Sequence, residues 1–280
     1  MTWNGVAGKR VVFTGATAGI GLSAARELAR RGAQLSIIAR DPDRGQEACR
    51  RIGGTVDLFL ADLSSQRSIR GLASDLVSKY ERIDVLVNNA GAVNVDRRMT
   101  AEGVELTWAV NHLAPFLLTN LLAGKLTASA PARIVTTASE AHRSAHIPFD
   151  DLAGESGYGP FGFGRYGQTK LANILFTHEL AHRLAGTGVE AFCFHPGFVA
   201  SHFNRNNGRL LALAMALSRP FARSVEKGAE TLIWLADSPE PEGKSGMYFF
   251  DRRPLSPSAE AQDEDSARRL WQTSERQVAP

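Results

Sequence analysis

Short apolar runs that read as strands alternate about six times with stretches of helical spacing, and this alternation constrains the fold more than any other feature. The strand-like runs lie in "RVVFTG", "AQLSIIAR", "VDLFLADLS", "IDVLVNNAG", "ARIVTTAS" and "VEAFCFHPG". Between them come "LSAARELARRG", which ends at Gly32 in a helix-stop position, a helix over roughly 42 to 53, a polar-rich helical stretch, "VELTWAVNHLAPFLLTNLLAGKL" with Pro115 inside it, and a helix over 166 to 185. Strands apolar along their whole length need helices on both faces of the sheet. The pattern predicts a mostly parallel, doubly wound α/β fold with right-handed crossovers. No linker rich in Pro, Gly or Ser and no repeat divides the chain. A single domain is expected over 1–280, with a core over 9–250 and a polar tail over 251–280. In the tail, "EDSARRLWQTSERQV" predicts an amphipathic helix that docks through Leu270, Trp271 and Val278. Trp108 and Trp234 are expected to be packing anchors within helices.

The first strand runs into "TGATAGIG" before its helix begins. Glycine reaches backbone angles closed to other residues and leaves no Cβ in the way of a phosphate. The helix that follows offers unpaired N–H groups to an anion. Gly15, Gly19 and Gly21, with Thr17, Ala18 and Ile20 between and around them, are therefore candidate dinucleotide contacts. The second strand ends in "SIIARD". Arg40 stands where an NAD site commonly carries an acid, and a guanidinium suits a 2′-phosphate. NADP(H) is favoured over NAD(H), with Asp41 next in line as the residue that would turn the preference around. Asp62 is expected to meet the adenine or to cap the next helix, with Leu63 beside it. In "VLVNNAGAV", Asn88 is expected to fix the crevice wall while Ala90 and Gly91 permit close approach.

Tyr166 and Lys170, four apart, share one helix face. A free tyrosine has a pKa of about 10 and is a poor base at neutral pH. A neighbouring ammonium favours its phenolate, so the pair suits proton transfer to or from a carbonyl oxygen. Ser139, at the end of "IVTTASEAH", offers a hydroxyl to steady charge on that oxygen, or else simply turns the strand end. Asn111 sits within a helical run, where it either holds a water leading from Lys170 or is a surface amide. Thr136 and Thr137 read as core or lining residues.

The residue balance removes other classes. The net charge of +3, from 32 basic and 29 acidic residues, includes no basic block interleaved with aromatics, and no nucleic-acid partner is expected. Cys49 and Cys193 form no metal or disulfide pattern. No apolar window is long enough to span a membrane, and the start lacks a signal-peptide core. His142, His146, His178, His182, His195 and His202 make no metal signature and are expected at the surface or an interface.

"TGATAGIG", "NNAG", Asn111, Ser139 and "YGQTK", taken together, resemble the short-chain dehydrogenase/reductase family across residues 9 to 250. The resemblance implies a Rossmann-type sheet of seven strands with helices on both faces, a nicotinamide cofactor and a tetrad. In it Tyr166 is the acid/base and Lys170 lowers its pKa and binds the nicotinamide ribose. Ser139 positions the substrate oxygen, and Asn111 supports the proton relay. "HPGFVAS" resembles the family's segment near the nicotinamide, so Pro196, Gly197, Val199 and Ser201 join the implied cofactor contacts. "ASEAH", "FDDL", "YGQTKLANILF" and "ARRLWQTSE" are further similar to the retinol-dehydrogenase-like branch, which implies a lipophilic alcohol or carbonyl substrate. The chain starts close to its first strand, so no membrane anchor and a cytoplasmic location are expected.

Phe149, Tyr158, Phe161 and Phe163 are expected to line an apolar substrate wall. The apolar run within 208–221 reads as a lid, an interface, a membrane-surface contact or simple packing. The readings left open are an NADP(H)-dependent reductase or dehydrogenase, an NAD(H)-dependent alcohol dehydrogenase, and a non-catalytic dinucleotide sensor or scaffold. A homodimer or homotetramer is the class-level expectation.

Overall fold

The computed structural model describes residues 2–199 and 222–279. One sheet runs in the order β3-β2-β1-β4-β5-β6-β7-β8. Its strands are β1 (Arg10–Thr14), β2 (Gln34–Ala39), β3 (Val56–Leu60), β4 (Val85–Asn88), β5 (Ala132–Thr137), β6 (Val189–Phe194), β7 (Tyr248–Phe250) and β8 (Arg253–Pro254). β1 to β7 are all parallel, and only β8 pairs antiparallel, through Phe249 with Pro254 and Phe250 with Arg253. The expected count of seven is thus exceeded by one two-residue edge strand. Asp251 and Arg252, at φ 46° and 61°, reverse the chain after β7. A strand that short has no periodicity to be read, and Pro254 is tolerated there because an edge position need not donate.

The helices are α1 (Gly19–Arg30), α2 (Pro42–Ile52), α3 (Gln66–Lys79), α4 (Leu106–Trp108), α5 (Ala114–Ala128), α6 (Phe163–Arg183), α7 (Val225–Asp237) and α8 (Glu264–Gln277). They cover both faces, as the apolar strands demand. α1, α2 and α7 bury Leu28, Ile52 and Leu232 with Phe13 and Val87 on one side. α3, α5, α6 and α8 bury Leu72, Phe116, Leu175 and Leu270 with Leu86 and Ile134 on the other. Trp108 and Trp234 are both buried, as expected of packing anchors.

The chain winds outward from β1 to β3, then returns to lay β4 against the other side of β1. Side by side, the carboxyl ends of β1 and β4 open a crevice, the usual ligand position in such sheets. The long helical run is not continuous. Between α4 and α5, Ala109–Leu113 form a π-helical turn in which the Ala114 N–H reaches back to the Ala109 carbonyl. Pro115 has no N–H for an ordinary helical bond, so the wider turn ends where α5 starts with that proline in its first turn.

The tail helix docks as its pattern requires. Leu270, Trp271 and Val278 are buried against α5 and α6. Trp271 stands edge-on to Phe116 at 4.9 Å and stacks on Phe176 at 5.8 Å. The Trp108 indole donates to Gln277 Oε1 at 3.0 Å, and His112 shares a 2.8 Å hydrogen bond with Ser274.

Candidate active site

The turn after β1 is built from backbone. A Cβ on Gly21 would lie 2.0 Å from the Gly15 carbonyl oxygen, and one on Gly15, at φ +74°, would lie 2.7 Å from Ala90. Only glycine allows the turn to pass so close to the end of β4. α1 then begins at Ala18 with no side-chain cap and no acid in its first turn. Its free N–H groups therefore face the crevice, the chemistry an anionic phosphate requires. Gly15, Thr17, Ala18, Gly19, Ile20 and Gly21 line one end of a cavity of about 620 Å³, and Ala90 and Gly91 line its wall. These residues fit a dinucleotide.

The residue that ties the turn to β4 is Asn89, which sequence reasoning missed. Its Nδ2 donates to the Gly15 carbonyl at 3.0 Å, its N–H donates to Thr14 Oγ1 at 3.0 Å, and its Oδ1 accepts from Thr137 Oγ1 at 3.1 Å. Asn88, expected in this role, instead points to Thr119 Oγ1 at 3.0 Å. Successive strand residues face opposite sides of the sheet, so the first asparagine turns into the core and the second reaches the turn.

At the far end of the nucleotide crevice Asp41 caps α2 by accepting from the Arg44 N–H at 3.0 Å. That use of its carboxylate leaves Arg40, exposed just past β2, as the neighbouring charge. Arg44 is the arginine that lines the cavity, a second cation one turn into α2 that the sequence reading did not include. Asp62 is neither the cap of α3, which is Ser65, nor free. Its Oδ1 accepts from Ser64 N at 2.9 Å and Ser64 Oγ at 2.7 Å, a local turn closed by its own side chain. Leu63 lies against Asn88 and Ala90 at a small adjoining void.

Ser139, Tyr166 and Lys170 meet on the same cavity. Ser139 follows β5 and caps a 3-10 turn over Glu140–Ser144 by accepting from the Ala141 N–H at 3.2 Å. Gly167, next to Tyr166, lets α6 lie on that turn, since a Cβ there would be 2.8 Å from the Ala141 carbonyl. Lys170 is buried and donates to the Thr137 carbonyl at 2.8 Å, with its Nζ 5.4 Å from the centre of the Tyr166 ring. Burial pushes the Tyr166 hydroxyl up to about 12, against the smaller lowering effect of its hydrogen bond with Ser139. Burial also pulls Lys170 down to about 7. Desolvation dominates the Tyr166 hydroxyl, so its net shift is opposite to the lowering expected from its lysine.

Asn111 is fully buried rather than a surface amide. On the π-helical turn its Oδ1 accepts from Ala92 N at 2.8 Å, and its Nδ2 donates to Ala92 O at 2.8 Å and Thr169 Oγ1 at 3.1 Å. The side chain clamps the loop at Ala92 to α6, and both its hydrogens are spent on Ala92 and Thr169, which rules it out as the donor to a relay water.

The expected aromatic wall is smaller than predicted. Phe163 lines the cavity, with Phe198 from the segment after β6. Tyr158 is drawn away by a buried cluster in which its hydroxyl bonds Thr107 Oγ1 at 2.9 Å beside the Arg165–Glu105 ion pair of 2.8 Å. Phe149 lies beneath the Arg269 guanidinium at 4.2 Å, and Phe161 is exposed. Pro196, Gly197 and Val199 line the cavity, while Ser201, His202 and 208–221 lie outside the described residues. His142 and His195, expected at the surface or an interface, are buried within the chain. His195 stacks on Phe250 at 4.2 Å.

Residues 9–210 match the family model for short chain dehydrogenase. Retinol dehydrogenase 12 of Mus musculus is 43% identical over 96% of this chain and 86% of its own length. Retinol dehydrogenase 14 of Homo sapiens is 41% identical over 96% of this chain and 85% of its own. The solved structure of an uncharacterized protein from Mycobacterium paratuberculosis superposes with a TM-score of 0.79 at 33% identity, covering 99% of this chain and 98% of that one. These relatives overturn the cytoplasmic location expected from sequence, because the retinol dehydrogenases that match are membrane-associated proteins. Among the described residues no helix is long and apolar enough to cross a membrane.

Proposed function

The chain belongs to the short chain dehydrogenase family of oxidoreductases, and on that premise we propose that it is an NADP(H)-dependent enzyme interconverting a hydroxyl and a carbonyl on a lipophilic small molecule, with residues 1–280 acting as one domain. The observation that carries this reading is the single cavity with an uncapped helix N-terminus at one end and Ser139, Tyr166 and Lys170 at the other. When bound, the nicotinamide supplies or takes the hydride. The chain's own residues handle the oxygen. Ser139 orients it with its hydroxyl, and Tyr166 gives it a proton or removes one. Lys170, whose near-neutral value lets its charge respond to the site, would tune Tyr166 and would hold the nicotinamide ribose when the cofactor is bound. Asn111 holds the wall. Its backbone carbonyl, which cannot receive an N–H from Pro115, would be the acceptor for a relay water.

Arg40 and Arg44 support the preference for a 2′-phosphate, since Asp41 is engaged as a helix cap. Phe163 and Phe198, 40% and 47% exposed at the cavity, suit an apolar substrate, as do relatives named for an apolar alcohol. The assembly is a homodimer or homotetramer, the commonest arrangement for such chains. Titration of the purified protein with NADPH and NADH tests the cofactor reading directly. Arg40→Ala should weaken NADPH by about tenfold or more while leaving NADH nearly unchanged, the loss of one charge-assisted contact. Equal losses for both cofactors would remove the phosphate role. Turnover of a panel of aldehydes and ketones with the better cofactor tests the reaction, and no turnover across that panel would favour a sensor.

A further inference from the structure

His142 has no part in the tetrad, yet it is fully buried three residues after Ser139. Its ring bridges two backbone groups of opposite kind. Nδ1 lies 2.7 Å from the Ser139 carbonyl oxygen, and Nε2 lies 3.1 Å from the Ser258 N–H. A carbonyl only accepts and a peptide N–H only donates. The ring is therefore the neutral tautomer with its proton on Nδ1, donating to Ser139 and accepting from Ser258. Burial lowers its pKa and so keeps it neutral.

The bridge is one of several between the stretch from Ser139 to Ile147 and the segment leading into α8. Arg143 donates to the Ser256 carbonyl at 2.9 Å. The Ile147 N–H and the His146 ring both reach Glu260, at 3.1 and 2.7 Å. Among these contacts only His142 touches Ser139 itself. The Ser139 carbonyl also receives the His142 N–H at 3.2 Å, so side chain and main chain of one residue hold the same oxygen. Tyr248 closes the other side of the ring edge-on at 5.2 Å.

We propose that His142, through its Nδ1–H bond to the Ser139 carbonyl and its Nε2 bond to Ser258, is a positioning residue that sets the Ser139 hydroxyl from the docked C-terminal segment. The proposal rests on the reading of Ser139 as the group that orients the substrate oxygen. Two substitutions separate the halves of the bridge. The Asn amide nitrogen overlies Nδ1, so His142→Asn keeps the bond to Ser139 and loses the one to Ser258. The Gln amide overlies Nε2, so His142→Gln keeps Ser258 and loses Ser139.

With NADPH and decanal as probes in the full chain, His142→Gln should lower kcat by between about tenfold and a hundredfold, as for a slightly misplaced catalytic group. KM and NADPH affinity should stay near wild type, and His142→Asn should recover most of kcat. Equal losses in both variants, or a larger loss in Asn, would reduce His142 to packing and overturn the proposal. Long-range proton–nitrogen NMR of the wild-type imidazoles decides the tautomer without turnover, with the His142 signals identified by their absence in either variant. An Nδ1–H form is expected, and an Nε2–H form overturns the bridge. Absence of wild-type turnover with every aldehyde would instead count against the functional reading, and the NMR result would still stand.

Discussion

Burial works against both charges of the Tyr166–Lys170 pair, raising the tyrosine to about 12 and lowering the lysine to about 7. Groups so strained in solvation cost stability, and such perturbed pairs in a cleft mark a candidate site for chemistry. Tyr166→Phe removes only a hydroxyl and should keep dinucleotide binding while lowering kcat by about 10²- to 10⁴-fold, the usual worth of a proton-transfer group. Normal turnover in that variant would end its assignment as acid/base. Lys170→Met should abolish most activity yet raise the melting temperature at pH 7. The sign follows from linkage: the unfolded lysine binds its proton more tightly than the folded one, so folding carries a penalty below pH 10.5 that is complete below about 7. The advantage of Met should therefore shrink as pH rises from 7 to 10.5, and a melting curve below wild type at pH 7 would refute the buried-cation account. At this scale the meeting of Ser139, Tyr166 and Lys170 on one cavity and the glycine turn were legible because their residue types have few other uses at such spacings. The choice between Asn88 and Asn89 was not, because it depends on which face of β4 each one takes.

Elements differ in how much of their placement their own residues settle. α8 carries its docking stripe in Leu270, Trp271 and Val278, and it lands on α5 and α6. Trp271, with Arg183 above its ring at 4.2 Å and Phe116 and Phe176 around it, fills the centre of that contact. Trp271→Ala should cost about 3–5 kcal/mol of stability, measured by denaturant unfolding, and a loss under about 1 kcal/mol would mean the helix is weakly held. The run through Pro115 shows the opposite case. Its apolar pattern predicted a helix correctly, but the π-helical turn that buries Asn111 arises from the missing proline N–H together with the bonds Asn111 makes to Ala92. Tyr158 likewise lies off the cavity because the buried Arg165–Glu105 pair recruits its hydroxyl, a contact to Glu105 53 residues away that no local pattern announces.

Across the whole molecule, buried and half-buried histidines far apart in sequence contribute to the response to acid, His112 and His195 with the largest shifts and His142 and His178 in the same direction. Burial lowers His112 to about 3 and His195 to about 4 from an ordinary 6.5. The unfolded chain protonates first, so the stability present above pH 6.5 should fall as pH drops toward 4 and level only below the folded values. Melting temperature against pH measures this, and a flat curve between pH 6.5 and 4 would contradict their burial as neutral rings. The alternation of strand and helix, the parallel doubly wound sheet and the residue types of the site were determined by the sequence alone, because periodicity, glycine angles and helix spacing act over a few residues. Which asparagine ties the turn, where each aromatic points, which histidines are buried and how far Tyr166 and Lys170 are desolvated were decided only by the tertiary structure. Those properties depend on what surrounds a side chain from other elements, and solvation and hydrogen-bond partners exist only once the elements have packed.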